Sequence, residues 1–106
     1  MEHVEFFYVL CLNRANQILG FNQISKGGFT GTIVDVRVIF QIALKACACS
    51  IICIHNHPSG SLNPSDADIQ VNQKIKQAGE MLDIRLTDSL IITPEKYFSF
   101  ADEGIM

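Results

Sequence analysis

The sequence contains no hydrophobic run long enough to cross a membrane, although 48% of its 106 residues are hydrophobic. Polar side chains break its apolar stretches before they reach the ~20 residues that a membrane-spanning helix requires. The interruptions are Arg37, Gln41, Lys45 and His55. Residues 1–11 also lack the basic start and the small-residue cleavage site of a signal peptide. These absences exclude a membrane-spanning protein, and we expect a cytoplasmic location.

Clusters of basic residues are absent as well. Eight Lys and Arg residues against eleven Asp and Glu residues give a formal net charge of −3 at pH 7. Phosphate-driven binding to nucleic acid requires a basic surface. The composition therefore argues against direct nucleic-acid binding by this domain, although a separate partner domain could supply such a surface. The sequence carries no indication of the oligomeric state.

The four cysteines lack the Cys-x-x-Cys spacing that structural zinc sites favour. They are Cys11, Cys47, Cys49 and Cys53. The last three could be read with the histidines that follow as one Cys/His tract, but the missing spacing disfavours a structural zinc site. Free cysteine packs as a small hydrophobic residue, and the cytosol keeps thiols reduced. We expect all four thiols to be reduced and mostly buried.

Internal repeats and low-complexity segments are also absent, so we expect one domain over residues 1–106. This length allows a modest core without disulfide bonds. Apolar periodicity predicts the elements, and Asp35 is the expected N-cap of a mostly buried helix. The predicted order is a hairpin of strands at 5–12 and 17–24, a short strand at 32–34, a helix at 35–48, a strand at 51–54, a helix at 65–82, and strands at 84–93 and 97–100.

This order predicts an α/β fold in which a mixed β-sheet is flanked by helices in a three-layer-like arrangement. In the second helix, the apolar side is expected to consist of Ile69, Ile75, Ala78 and Leu82. Ligands in such folds commonly bind outside the carboxyl ends of strands. The strand at 51–54 leads directly into two histidines at such an end.

Those two histidines, His55 and His57, are the most informative residues of the chain. Side chains alternate along extended backbone, so both imidazoles face the same way. Asp68 follows at the start of the second helix, and the intervening loop is long enough to bring it back to them. Two histidines and one carboxylate leave a fourth coordination position for water, which is typical of a hydrolytic zinc site.

A purely structural interpretation exists for part of this pattern. Ser65 and Asp68 have the spacing of a capping box, in which a serine begins a helix and an acidic residue three positions later closes the first turn. The capping role and the metal-binding role are compatible. The histidine pair at this distance from Ser65-x-x-Asp68 favours a metal site in addition to the cap.

The same residues resemble a known family. His55-x-His57 followed by Ser65-x-x-Asp68 resembles the JAMM (MPN-plus) metallopeptidase signature. His-Asn-His-Pro-Ser-Gly followed by Pro-Ser-x-x-Asp resembles specifically RadC, the bacterial branch named as a DNA repair protein. The likeness runs through nearly the whole chain. Further matching segments are Glu5-x-Phe7, Gly28-x-Thr30-Gly31-Thr32, Asp88-Ser89-Leu90-Ile91-Ile92 and Tyr97-x-Ser99-Phe100.

The resemblance implies a JAMM/MPN (cytidine-deaminase-like) architecture and a peptide or protein substrate. By this resemblance, His55, His57 and Asp68 bind Zn²⁺. Ser65 helps to stabilise the oxyanion, and an upstream glutamate is the general base. Position relative to the first strand favours Glu5 as that base over Glu2, although a charged residue that merely opens an edge strand is the structural alternative.

Two features depart from the family pattern. The family usually has histidine directly after the aspartate of its late strand, whereas this chain has Ser89. RadC proteins also usually begin with a helical region of helix-hairpin-helix type, of which this sequence has none. DNA binding by such a region is therefore not expected here.

Three other functions compete with this hypothesis. A zinc nucleobase deaminase requires His-x-Glu and Pro-Cys-x-x-Cys, which the sequence does not provide. A His-Asn-His nuclease is disfavoured because three adjacent strand residues cannot all face one metal. The serious alternative is a non-hydrolytic module that recruits partners in DNA metabolism and retains a metal site. Loss of Glu5 from the site would favour this module.

Overall fold

The computed structural model of the protein describes residues 4–26 and 34–106. Glu2 lies outside these ranges, and so does most of the short strand expected at 32–34. Val34, the described residue of that segment, is not part of a strand. The elements are β1 (Phe6–Leu12), β2 (Ile18–Lys26), α1 (Val36–Lys45), β3 (Ser50–Asn56), α2 (Asp66–Leu82), β4 (Arg85–Ile92) and β5 (Tyr97–Ser99).

The five strands form one sheet in the order β2-β1-β3-β4-β5. The pair β3–β4 is parallel, and the other neighbouring pairs are antiparallel. The parallel pair arises because α2 carries the chain from the end of β3 back to the start of β4. The predicted hairpin and the predicted α/β class with a mixed sheet are confirmed.

Both helices pack on the same face of this sheet. The inward side chains of β1 and β3 share one hydrophobic core with α1 and with Ile75 of α2. Phe40 of α1 approaches Gly79 of α2, so the helices also contact each other. The described residues therefore form a mixed sheet with two helices packed against it, as the sequence predicted.

Helix α1 begins as predicted and ends earlier. The carboxylate of Asp35 accepts the backbone N–H of Arg37, which makes Asp35 the N-cap. The helix stops at Lys45 because Cys47 adopts a positive φ of 55°. After this turn Ala48 is buried while Cys47 and Cys49 are exposed. The expectation that these two thiols are buried is wrong.

Helix α2 buries only part of the stripe that was expected. Ile75 is buried and Ala78 packs against the core, as predicted, whereas Ile69 and Leu82 are exposed. Asn72 and Gly79, which were not expected on this face, are buried. A Cβ atom at Gly79 would collide with the backbone carbonyl of Ile84, so this close approach requires glycine. The apolar residues alone did not indicate this face, because it includes an asparagine and a glycine.

Within the described ranges, no helix is both long and apolar enough to cross a membrane.

Candidate metal centre

Strand β3 directs both histidines toward one point. His55 lies in β3, and the backbone N–H of His57 donates to the carbonyl of Ile92 at 2.9 Å, which continues the pairing with β4. The ring of Phe7 on β1 stacks on the His55 imidazole with centroids 5.7 Å apart and planes 8° from parallel. The two imidazoles are therefore held on the helix-covered face of the sheet.

A loop and a helix cap bring Asp68 to the histidines. Gly60 adopts a φ of 89°, which glycine tolerates without strain, and allows the chain to turn after β3. Ser65 then caps α2: its hydroxyl accepts the N–H of Asp68 at 3.0 Å, and its own N–H donates to Asp68 Oδ2 at 2.8 Å. The capping box that fixes the helix start therefore also orients the third predicted ligand.

The three predicted ligand groups converge. His55 Nε2 lies 3.3 Å from His57 Nε2 and 3.4 Å from Asp68 Oδ1, and His57 Nε2 lies 3.2 Å from Asp68 Oδ2. Around a tetrahedral zinc with bonds of roughly 2.0–2.1 Å, neighbouring ligand atoms lie roughly 3.3–3.4 Å apart. The distance between the two histidine nitrogens fits such an edge. The two distances to Asp68 involve different carboxylate oxygens, and one donor atom from each of the three residues lies within 4.8 Å of the others, which is close enough for them to share one ion. The donor set, two imidazole nitrogens and one carboxylate, is also one that zinc accepts.

The loop fixes the tautomer of His57. Its Nδ1 lies 2.8 Å from the backbone carbonyl of Ser61, which can only accept a hydrogen bond. The proton is therefore assigned to Nδ1, and the lone pair of Nε2 is directed toward His55 and Asp68. This is the usual support for a metal-ligating histidine.

The carboxyl group of Asp68 is held in its deprotonated, charged form. Burial on its own would raise the pKa of this carboxyl group, but hydrogen bonds from His55 and from the Ser65 backbone hold the pKa well below its usual range. All three predicted ligands are mostly shielded, with side-chain exposures of 14% for His55, 12% for His57 and 20% for Asp68. A negative charge held beside two imidazoles in a shielded position favours a bound cation.

Glu5 and Ser65 line the same cavity as the three predicted ligands. Glu5 immediately precedes β1, and β1 runs antiparallel to β3 with Phe7 opposite His55. This register brings the beginning of β1 beside the end of β3, at His57. Residues 50 positions apart in the sequence thereby meet at one site.

Asn56 was missed by sequence reasoning, because alternation along β3 directs its side chain away from His55 and His57. Its side-chain Oδ1 accepts the N–H of Phe6 at 2.6 Å, and its Nδ2 donates to the carbonyl of Val4 at 3.1 Å. The amide therefore holds the backbone on both sides of Glu5. No spacing in the sequence could have indicated a contact that depends on the β1–β3 register.

The cavity has a volume of about 470 Å³, and residues of β3, α2 and β4 line it. Its lining includes buried apolar residues such as Ile75 and Phe100. Two buried polar residues also line it, and there the hydroxyl of Ser89 forms a short hydrogen bond with the side-chain oxygen of Asn72. Ser89 occupies the position where the resembled family has histidine. Sequence reasoning missed the Asn72 partner because it assigned the buried face of α2 to other residues.

The sequence is similar to those of known proteins along nearly its whole length. Residues 1–105 match the RadC-like JAB domain family. Proteins named UPF0758 from Flavobacterium johnsoniae, Porphyromonas gingivalis and Chlorobaculum parvum are 56%, 45% and 40% identical over 101, 103 and 105 residues. These alignments cover 95%, 96% and 99% of this chain and 44%, 45% and 47% of the relatives.

The chain thus spans somewhat less than half the length of the curated relatives it matches. The match extends over nearly all of its own residues, from before Glu5 to beyond Phe100, and includes the converging His55, His57 and Asp68. On this evidence the chain belongs to the RadC family, whose RadC-like JAB domain its residues 1–105 match.

Proposed function

We propose that the domain is a zinc-dependent hydrolase of the JAMM type that cleaves a peptide or isopeptide bond in a peptide or protein substrate. The observation that carries this proposal is the convergence of one donor atom each from His55, His57 and Asp68 to within 4.8 Å of one another, in a cavity that Glu5 also lines. Three protein ligands with an accessible cavity are characteristic of catalytic rather than structural zinc sites.

His55, His57 and Asp68 would hold the ion. When bound, zinc supplies a Lewis acid that lowers the pKa of water to about 7 and polarises the scissile carbonyl group. The hydrogen bonds from Ser65 to Asp68 and from His57 to the Ser61 carbonyl orient their ligands before the metal arrives. This support reduces the reorganisation that binding requires.

Glu5 acts as the general base in this proposal. Its carboxylate takes a proton from the attacking water and later returns it to the leaving amine, which is the usual use of a carboxylate beside a hydrolytic metal site. Asn56 supports this role because it holds the backbone at Val4 and Phe6, on either side of Glu5. Its contribution is positional, since it does not line the cavity.

Ser65 is proposed to stabilise the tetrahedral oxyanion. Its oxygen already accepts the N–H of Asp68, but its hydroxyl proton remains available for donation. An oxyanion donor of this kind contributes roughly 3 to 4 kcal/mol to the transition state in comparable sites. Replacing Ser65 would also weaken the helix cap.

A second candidate function is a non-catalytic module that recruits a partner in DNA metabolism. It is favoured by the sheet face that the helices leave uncovered, where Tyr8 stacks on Phe21 with centroids 4.7 Å apart. Phe21 is 53% exposed, and Ile18, three residues earlier in β2, is 68% exposed. Glu5 is among the residues that line the cavity of the candidate metal site, which supports the hydrolase over this module.

The test separates catalysis from metal binding. Glu5→Gln is expected to lower the hydrolysis of a fluorescent peptide library by about 10²- to 10⁴-fold, because general-base catalysis is lost. Its zinc affinity, measured by competition with a coloured chelator, should stay close to that of the parent, since Glu5 is not a ligand. Glu80→Gln, on the exposed surface of α2, is the matched control. Full activity in Glu5→Gln would overturn the base assignment.

A further inference from the structure

The sheet face opposite the two helices, which we call the outer face, is largely apolar. Because Phe7, Val9 and Cys11 of β1 point into the core, the side chains that alternate with them point to the outer face. Strand pairing places their partners on β3 and β4 on the same face. The centre of the outer face consists of Tyr8, Leu10, Ile52, Ile54, Leu90 and Ile92.

Apolar side chains extend the outer face to both edges of the sheet. Phe21 of β2 pairs with Leu10 and stacks on Tyr8. On the opposite side, Tyr97 of β5 pairs with Ile92. The exposed fractions are 53% for Phe21, 40% for Ile92 and 64% for Tyr97. Single exposed apolar residues are ordinary on a protein surface, whereas a continuous apolar surface indicates a site of contact.

The middle of the outer face carries no charge. In the register of the described strands, one row of paired residues crosses the whole sheet as Gln23, Tyr8, Ile54, Leu90 and Ser99. The neighbouring carboxylate of Asp88 is satisfied within the chain, by the N–H groups of Ser89 and Ala101 and by the hydroxyl of Ser99. A charged partner would find no counter-charge in this row, so the outer face suits a partner surface that is itself apolar.

The dimensions of the outer face favour another sheet over a helix or a peptide. Five strands about 4.8 Å apart span about 19 Å between the outer two, and the seven residues of β1 extend about 23 Å. A helix is about 10–12 Å across and would leave half of this width uncovered. Two faces of this projected area bury together about 900 Å² or more, which is the size of a weak but specific interface.

We propose that a second copy of this chain covers the outer face, so that two sheets pack against each other about a twofold axis. Such an interface buries the same residues on both copies. Aliphatic and aromatic side chains can meet their own kind in this way, whereas like charges would repel. The second copy also supplies a sheet of the matching width, as in the two layers of a β-sandwich. This inference goes beyond the proposed hydrolase and does not depend on the metal.

The proposed dimer has a consequence for the candidate metal centre. Asn56 lies on the outer face, where it pairs with Ile92 of β4. A second copy therefore keeps water away from the hydrogen bonds between the Asn56 side chain and the backbone of Val4 and Phe6. Since these bonds lie on both sides of Glu5, dimer formation stabilises the backbone that carries the predicted base.

Sedimentation equilibrium from micromolar to near-millimolar protein measures the association. The parent should form dimers with a dissociation constant on the order of 10 µM, and high salt should not weaken them, because the contact is apolar. Phe21→Glu combined with Ile92→Glu should weaken the dimer by at least about tenfold, since the carboxylates lose water without a counter-charge. The matched control is Leu44→Glu combined with Met81→Glu, at exposed positions on the helices, and it should dimerise as the parent does.

A parent that stays monomeric at the highest concentration would overturn the proposal and leave the outer face to a different protein. Equal dimerisation of the face variant and the control would overturn it as well. If the face variant fails to fold, nuclear magnetic resonance spectra of the parent decide. Raising the concentration should shift the amide signals of Ile52, Ile54 and Leu90 and slow hydrogen exchange at the Phe6 N–H, whereas shifts confined to the helices would contradict the assigned interface.

Discussion

The side-chain amide of Asn56 holds Glu5 by the backbone on both sides: its oxygen accepts the N–H of Phe6 at 2.6 Å, and its nitrogen donates to the carbonyl of Val4 at 3.1 Å. Asn56 lies between the two histidines. Three consecutive residues therefore supply two of the predicted metal ligands and the side chain that holds the backbone around the predicted base. The residue that points away from the metal thereby connects the two parts of the site.

Asn56→Ala is expected to reduce kcat by about 10- to 100-fold, because Glu5 loses the contacts that orient its backbone. Zinc affinity and KM should change little, since neither the ligands nor the pocket is altered. Asn56→Asp keeps the acceptor for Phe6 and should retain part of the activity. Asn22→Ala, an exposed asparagine in β2, is the control. A parallel loss of zinc affinity and kcat would contradict a role confined to Glu5.

The metal ligands can be separated from the cysteines by mutation. His55→Ala and Asp68→Ala should each lose tight zinc binding, as judged by metal analysis after dialysis, because each removes one of three protein ligands. Asp68→Ala should also destabilise α2 by about 1 kcal/mol through loss of the capping box. A Cys47→Ser/Cys49→Ser double variant should bind zinc as the parent does. Zinc loss in that double variant alone would show that the site has been misassigned.

The four thiols should fall into two classes. Cys47 and Cys49 are exposed, and a chromogenic disulfide reagent should label both quickly in the native protein. Burial raises the pKa of the Cys53 thiol to about 12, with a contribution from neighbouring Cys11, whose own pKa burial also raises. Because the thiolate is the reactive form, these two should react only after denaturation. Equal labelling rates for all four would contradict the described packing.

Gly79→Ala should destabilise the domain even though alanine favours helices. The added Cβ would collide with the carbonyl of Ile84, and such overpacking costs about 1–3 kcal/mol. Denaturant unfolding measures the change. Gly20→Ala is the matched control, because its Cβ would meet only an ordinary contact at 3.5 Å from the Asn22 side chain. Equal stability of the two variants would show that α2 can move away from Ile84.

Local patterns in the sequence were sufficient for most of the secondary structure. The hairpin, the strand before His55 and the N-caps Asp35 and Ser65 follow from alternation and capping chemistry, which depend on residues a few positions apart. The end of α1 was less predictable. It depends on Cys47 adopting a positive φ, which cysteine rarely does and no local signal announced.

By itself, the sequence determined the elements and the chemistry available to the site, because period-two alternation aligns His55 with His57 and a capping box begins the helix that carries Asp68. Only the tertiary structure decided how far apart the ligand atoms lie, that Asn56 holds the backbone around Glu5, and that Asn72 meets Ser89. The contact between Asn72 and Ser89 joins residues 17 positions apart, and those of Asn56 join residues 50 and 52 positions apart. They depend on strand register and on which helix face packs against the sheet, and both are set by the whole core at once.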